Sequence, residues 1–133
     1  MEADKSFLYK ELSYKLVGCF LEIYNKIGPA HKEQLYHEAI KISFDRIAIV
    51  YQSKPNIHMK FQGRSIGVYE PDFIIENKII LEIKSVLTMP STFERQLFYY
   101  LRSTSYKVGY LVNFGSDKID IRRRIFDSVR KRK

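Results

Sequence analysis

The sequence predicts one mixed α/β domain, a β-sheet covered by helices. Its 133 residues suit a single hydrophobic core, and 45% hydrophobic with 29% charged residues is an ordinary globular balance. Apolar residues recur every three or four positions up to about Arg46 and alternate after it, which places helices first and strands second. No repeat, low-complexity tract or linker interrupts the chain.

Leu8, Leu12, Leu16, Phe20, Ile23 and Ile27 form the stripe of a first amphipathic helix, which Gly28-Pro29 stops. A second helix is expected from near His31 to about Arg46, with Leu35, Ala39 and Ile42 on one side. Ile47, Ile49 and Tyr51 then alternate as in a strand, and so do Ile57, Met59 and Phe61 before the turn Gln62-Gly63-Arg64-Ser65. A strand running through Val68 into Ile75 follows, then the turn Glu76-Asn77-Lys78 and a returning strand from Ile79 to Ser85. Ser91 and Glu94 have capping-box spacing for a third helix with Leu97 and Leu101 on its apolar face. Lys107 to Asn113 reads as a buried strand ended by Gly115, and Ile119, Ile121 and Ile125 as a last strand. The expected order is α-α-β-β-β-β-α-β-β.

Composition excludes several classes of function. Cys19 is the only cysteine, so no intrachain disulfide forms and a reducing, cytoplasmic setting is expected. No apolar run has the length of a membrane helix, and the N-terminal stretch, with acids and no apolar core, does not read as a secretory signal. His31, His37 and His58 with one cysteine give no four-ligand zinc set, and there is no nucleophile-elbow motif. The net charge of +8 is unevenly spread: residues 122–133 hold seven basic residues against Asp127, and the rest is nearly balanced. Such a basic segment either grips phosphates without sequence preference or is a solvated tail.

Asp72, Glu82 and Lys84 are charges set into an apolar strand pair, where a charge needs a partner or a metal. Glu82 and Lys84, two apart, share a strand face. Asp72 joins them if the hairpin has a three-residue loop, Glu76-Asn77-Lys78, which pairs Ile75 with Ile79 and sets Asp72 opposite Glu82, or if a bulge near Pro71 reorients it. A two-residue loop puts Asp72 on the other face. The longer loop wants a left-handed residue, which Asn77 tolerates. Two acids and a lysine suit metal-assisted phosphodiester cleavage. The competing reading is an exposed Glu82–Lys84 ion pair.

Pro71-Asp72 followed by Glu82-Ile83-Lys84 resembles the PD-(D/E)XK motif of restriction-endonuclease-like nucleases. The stretch from Gly28 through Glu33 to Tyr36 resembles the signature of the small GxxExxY proteins of that superfamily, with Ala30 where the opening glycine stands. Alanine is expected to hold that turn only with a negative φ. Gln96 to Tyr100 resembles the Q-x-x-x-Y helix of the RecB-like branch, and Val108 to Gly115 the closing strand; together the motifs cover roughly residues 16 to 126. The resemblance implies a restriction-endonuclease-like domain over residues 1–126 with a basic arm at 127–133. It implies Mg²⁺ or Mn²⁺ held by Asp72, Glu82, the backbone carbonyl of Ile83 and Glu33, directly or through water, with Lys84 orienting the attacking water. Glu33 and Tyr36 are expected on one helix face, where Glu33 alone would read as a charge at a helix N-terminus. Gln96 and Tyr100 would hydrogen-bond Lys84 or a substrate phosphate.

The expected function is therefore a divalent-metal-dependent nuclease acting on DNA, with Arg122, Arg124, Arg130, Lys131, Arg132 and Lys133 as phosphate contacts. A non-cleaving nucleic-acid-binding module, a protein-interaction subunit and a phosphoesterase with another substrate are the rivals. A twofold dimer is the economical way for one site per chain to cut two strands. If the terminal Arg-Lys-Arg-Lys tracks a nucleic acid, deleting residues 130–133 weakens binding at all sequences alike. The log–log salt slope of affinity then flattens by nearly one unit per lost contact, read by titration at several salt concentrations.

Overall fold

The computed structural model describes residues 7–127. Helices α1 (Lys10–Ile27) and α2 (Glu33–Arg46) precede strands β1 (Tyr51–Ser53), β2 (Ile57–Phe61), β3 (Arg64–Tyr69), β4 (Phe73–Ile75) and β5 (Ile79–Lys84). Helix α3 (Ser91–Ser103), β6 (Val108–Asn113) and β7 (Asp120–Ile125) complete the domain. The main sheet runs β1-β4-β5-β6-β7, with β5–β6 parallel and the other pairs antiparallel. Strands β2 and β3 form a separate two-stranded hairpin. This is a restriction-endonuclease-like mixed sheet flanked by helices.

Each strand face finds its own cover. Phe73, Ile75, Leu81 and Ile83 pack with Val108, Tyr110 and Val112 against Leu16, Phe20, Tyr36, Ile40 and Phe44 of α1 and α2. Ile80 and Leu111 face the other way, against Leu97 and Leu101 of α3 and Tyr69. Central strands covered on both faces read as near-continuous apolar runs, and β5 and β6 do.

Helix α2 turns a different face to the core from the expected one. Leu35 and Ile42 are 43% and 70% exposed, while Tyr36, His37, Ile40, Ser43 and Phe44 are buried. Both sets have helical spacing, and the aromatic set removes more apolar area from water. The first strand begins at Tyr51 rather than Ile47, because Ile47 and Ala48 close α2 with N–H groups on the Phe44 and Asp45 carbonyls.

The strand expected from Val68 to Ile75 is two strands. Pro71 has no N–H to give a ladder, so β3 ends at Tyr69 and β4 begins at Phe73. Five strands rather than four therefore precede α3. The turn after β4 is the three-residue form: Ile75 pairs with Ile79, the Lys78 N–H donates to the Ile75 carbonyl at 2.9 Å, and Asn77 is left-handed at φ 54°.

The capping box is absent. Pro90 precedes the first turn of α3 with no side-chain cap, and Glu94 is instead ion-paired with Arg122 and Arg124. Those arginines, with Arg123, belong to β7 and not to a trailing arm. Asn113 fixes the exit of β5: its Oδ1 accepts from the Val86 N–H at 3.0 Å and its Nδ2 donates to the Val86 carbonyl at 2.9 Å. A Cβ on Gly115 would lie 2.2 Å from the Val86 nitrogen, so only glycine fits there.

Ala30 contradicts the expectation of a negative φ. It is left-handed, at φ 70°, and its N–H donates to the Phe114 carbonyl at 3.1 Å. An L-residue there costs about 1 kcal/mol that glycine avoids. Ala30→Gly should raise unfolding stability by up to about 1 kcal/mol, measured by urea denaturation, with the fold unchanged.

Candidate active site

The break at Pro71 creates the first element of the site. Where β4 has not yet begun, β5 lacks a ladder partner on that side, and the Asp72 side chain supplies one: its Oδ2 accepts from the Ile83 N–H at 2.6 Å. The Lys54 N–H, donating to the Asp72 carbonyl at 2.9 Å, anchors the same residue to the end of β1. One step beyond the Phe73–Leu81 pair, Asp72 and Glu82 stand side by side, with their carboxyls within hydrogen-bonding reach. The three-residue loop thus brings the two acids to one place.

Glu82 shares the α3 face of β5 with Ile80. Burial raises its carboxyl to about 7; a hydrogen bond from Tyr69 and the charge of Lys84 oppose that shift, and the neighbouring Asp72 adds to it. The Tyr69 hydroxyl donates to Glu82 Oε2. Burial and the Glu82 charge push that phenol far above its usual range, so Tyr69 remains a donor at all ordinary pH. Its ring stacks on Tyr100 at 3.6 Å, and Gln96 Nε2 donates to the Tyr100 hydroxyl at 3.4 Å. Gln96 and Tyr100 therefore support Glu82 through Tyr69; among the described residues they make no hydrogen bond to Lys84.

Lys84 does not ion-pair with Glu82 among the described residues. Its Nζ lies 4.5 Å from the centroid of the Phe93 ring on α3, a cation–π contact. Its carbonyl accepts from the Phe114 N–H at 2.9 Å, which ties the strand end to the segment after β6.

Glu33 opens α2 and is exposed, while Tyr36 on the next turn is fully buried, so the shared face expected of them is not seen. Tyr36 has structural work. Its hydroxyl donates to the Gly28 carbonyl at 2.6 Å, accepts from the His31 N–H at 3.2 Å, and its ring stacks on Phe114. Among the described residues no third acid, histidine or cysteine joins Asp72 and Glu82 as a metal-ligating group. Arg122 is held by Asp120 through two hydrogen bonds and by Glu94, and Arg124 by Glu94. Arg130, Lys131, Arg132 and Lys133 lie outside the described residues.

Two neighbours of the carboxylates escaped the sequence reading. No motif marks Tyr69 in the sequence; a phenol two residues before Pro71 is the available signal. His37 was weighed only as a zinc ligand. It stacks on Phe73, its Nε2 is 2.8 Å from Ser53 Oγ, and its Nδ1 is 4.0 Å from Asp72 Oδ1. Burial lowers its pKa against the pull of Asp72, which favours a neutral ring at pH 7.

A family model described as the PD-(D/E)XK nuclease superfamily matches residues 10–125. Among solved structures, that of SSO0001 is 21% identical with a TM-score of 0.50, over 92% of this chain and 60% of that one. An alkaline exonuclease from Laribacter hongkongensis is 12% identical with a TM-score of 0.42, over 99% of this chain and 75% of that one. This chain thus spans less than two thirds of the length of SSO0001. Comparison with curated proteins gives no match.

The raised carboxyl of Glu82 carries a sign for stability. Folding favours its protonated form, so the contribution is complete below about 4.5 and is lost as the pH rises through about 7. Urea unfolding at pH 5 and pH 8 should differ by on the order of 2 kcal/mol in favour of pH 5 from this group, and Glu82→Gln should remove that difference.

Proposed function

The chain belongs to the PD-(D/E)XK nuclease superfamily, and from that premise we propose that it is a divalent-metal-dependent nuclease hydrolysing phosphodiester bonds in DNA. The single observation that carries the reading is the adjacency of the Asp72 and Glu82 carboxyls, with Lys84 two residues on in the same strand. The stretch from Gly28 to Tyr36 supports placing it among the GxxExxY proteins. A cytoplasmic protein, acting as a twofold dimer on duplex substrate, fits this reading.

The donor set suits a hard cation. One oxygen of each carboxylate is occupied by an internal donor, the Ile83 N–H on Asp72 and the Tyr69 hydroxyl on Glu82. Burial, and then the neighbouring Asp72, raise the proton affinity of Glu82, and a divalent ion between the two carboxylates would oppose both effects. Asp72, Glu82 and the Ile83 carbonyl would hold Mg²⁺ or Mn²⁺, with Glu33 contributing through water. When bound, the ion would polarise the phosphate and acidify a water.

The chain's own residues do the rest. Tyr69 fixes the rotamer of Glu82, and the Tyr100 ring with Gln96 behind it holds Tyr69 flat. Lys84, resting on Phe93 rather than on a carboxylate, keeps its ammonium donors for the attacking water or the developing phosphorane charge. His37, held through its Nε2 by Ser53 Oγ, stands beside Asp72.

Wild type should cleave members of a panel of single-stranded, duplex and branched DNA and of RNA in Mg²⁺ or Mn²⁺. Asp72→Ala, Glu82→Ala and Lys84→Ala should each slow it by roughly a hundredfold or more. Calorimetric Mn²⁺ binding should weaken in the first two variants and persist in the third. A wild type that binds metal and nucleic acid yet never turns over would replace this reading with that of a binding module.

A further inference from the structure

The hairpin β2–β3 stands apart from the main sheet, and it leaves the domain at the candidate active site. It is inserted between β1 and β4, which pair as far as Ser53 and Phe73, so its two legs start beside Lys54 and end beside Asp72. Both legs touch the residues of the acid pair: Tyr69, the last residue of β3, donates to the Glu82 carboxylate, and the Lys54 N–H donates to the backbone carbonyl of Asp72. Ile57 and Met59 root the hairpin on the α3-side core.

Its chemistry is one-signed. No acidic residue occurs between Asp45 and Glu70, while Lys54, Lys60 and Arg64 all lie in that interval. All three are exposed and, among the described residues, none has an acidic partner, in contrast to Arg122 and Arg124. Phe61 pairs with Arg64 across the tip and follows Lys60 directly. Phe61 is 62% exposed, and on β3 Ile66 and Val68 are 72% and 57% exposed. Unpaired cations around an exposed aromatic ring are complementary to a polyanion that also offers flat rings.

We propose that the β2–β3 hairpin is the element by which this domain grips a polynucleotide strand beside Asp72 and Glu82. Lys54, Lys60 and Arg64 contact backbone phosphates, and Phe61 packs on a base. The inference rests on the nuclease reading for the class of its ligand. It assigns phosphate contacts to the body of the domain, where the balance of charges alone would not look for them.

The test uses the full chain and oligonucleotides, single-stranded and duplex, in Ca²⁺ over a range of salt. The Lys60→Ala/Arg64→Ala double variant should weaken binding at low salt and flatten the log–log salt slope by about 0.7 per lost contact on single strands, or about 0.9 on duplex. Phe61→Ala should weaken single-strand binding about fivefold or more with the slope unchanged. Unaltered Mn²⁺ binding shows that each variant retains its fold. If wild type binds and cuts while both variants bind as it does, the hairpin proposal falls and the nuclease reading stands. If wild type binds through the hairpin but never cuts, the proposal stands and the nuclease reading falls. Binding of an acidic protein and no polynucleotide overturns the proposal.

Discussion

Pro71 has no N–H, and the consequences of that one missing donor run through the whole site. It separates β3 from β4, so the chain leaves the hairpin at Tyr69 and enters the main sheet only at Phe73. The stretch of β5 beyond the end of β4 is satisfied by the Asp72 carboxylate instead of a carbonyl. That substitution draws a negative charge to the place where Glu82 projects, and it frees the preceding residues to stand apart as a hairpin. The carboxylate pair, the hairpin and the end of the β4–β5 ladder are one structural event.

Two anions in contact within a partly buried site are unfavourable unless the surroundings answer them. Here the answer comes from neutral donors rather than from a salt bridge. The Ile83 N–H and the Tyr69 hydroxyl each hold one oxygen, and stacked rings steady the surroundings: Tyr69 on Tyr100, and His37 on Phe73. Aromatic side chains are rigid and have few rotatable bonds, so they fix polar atoms with little loss of entropy. The same device recurs one step further on, where the chain leaves β5. There Tyr36 stacks on Phe114, the Phe114 N–H donates to the Lys84 carbonyl, and Asn113 clamps Val86.

The charge of the protein divides by context rather than by position along the chain. Arg122 and Arg124, in the most basic stretch, are neutralised by Asp120 and Glu94 and join β7 to α3. The cations of the hairpin are fewer but have no such partners among the described residues. A sum over a segment measures how many charges it has, whereas a polyanion responds to those that folding leaves unanswered.

The sequence by itself determined the fold class, the three helices, the approximate limits of β5 and β6 and the candidacy of Asp72, Glu82 and Lys84, because apolar period and motif spacing are local properties. It narrowed the Asp72–Glu82 relation to two registers, since Phe73, Ile74, Ile75, Ile80 and Leu81 supply apolar side chains to both faces and so cannot select one. The tertiary structure decided that register. It also decided which face of α2 is buried, since Leu35-Ala39-Ile42 and Tyr36-Ile40-Phe44 both have helical spacing and only the sheet's shape selects the larger set. Glu94 went to Arg122 and Arg124 instead of to a cap because a strand distant in sequence folded beside it. Tyr69 became a partner of Glu82 for the same reason. Which element folds against which has no local signature, and Tyr69 on Glu82, Tyr100 on Tyr69 and His37 beside Asp72 are all contacts between separate elements.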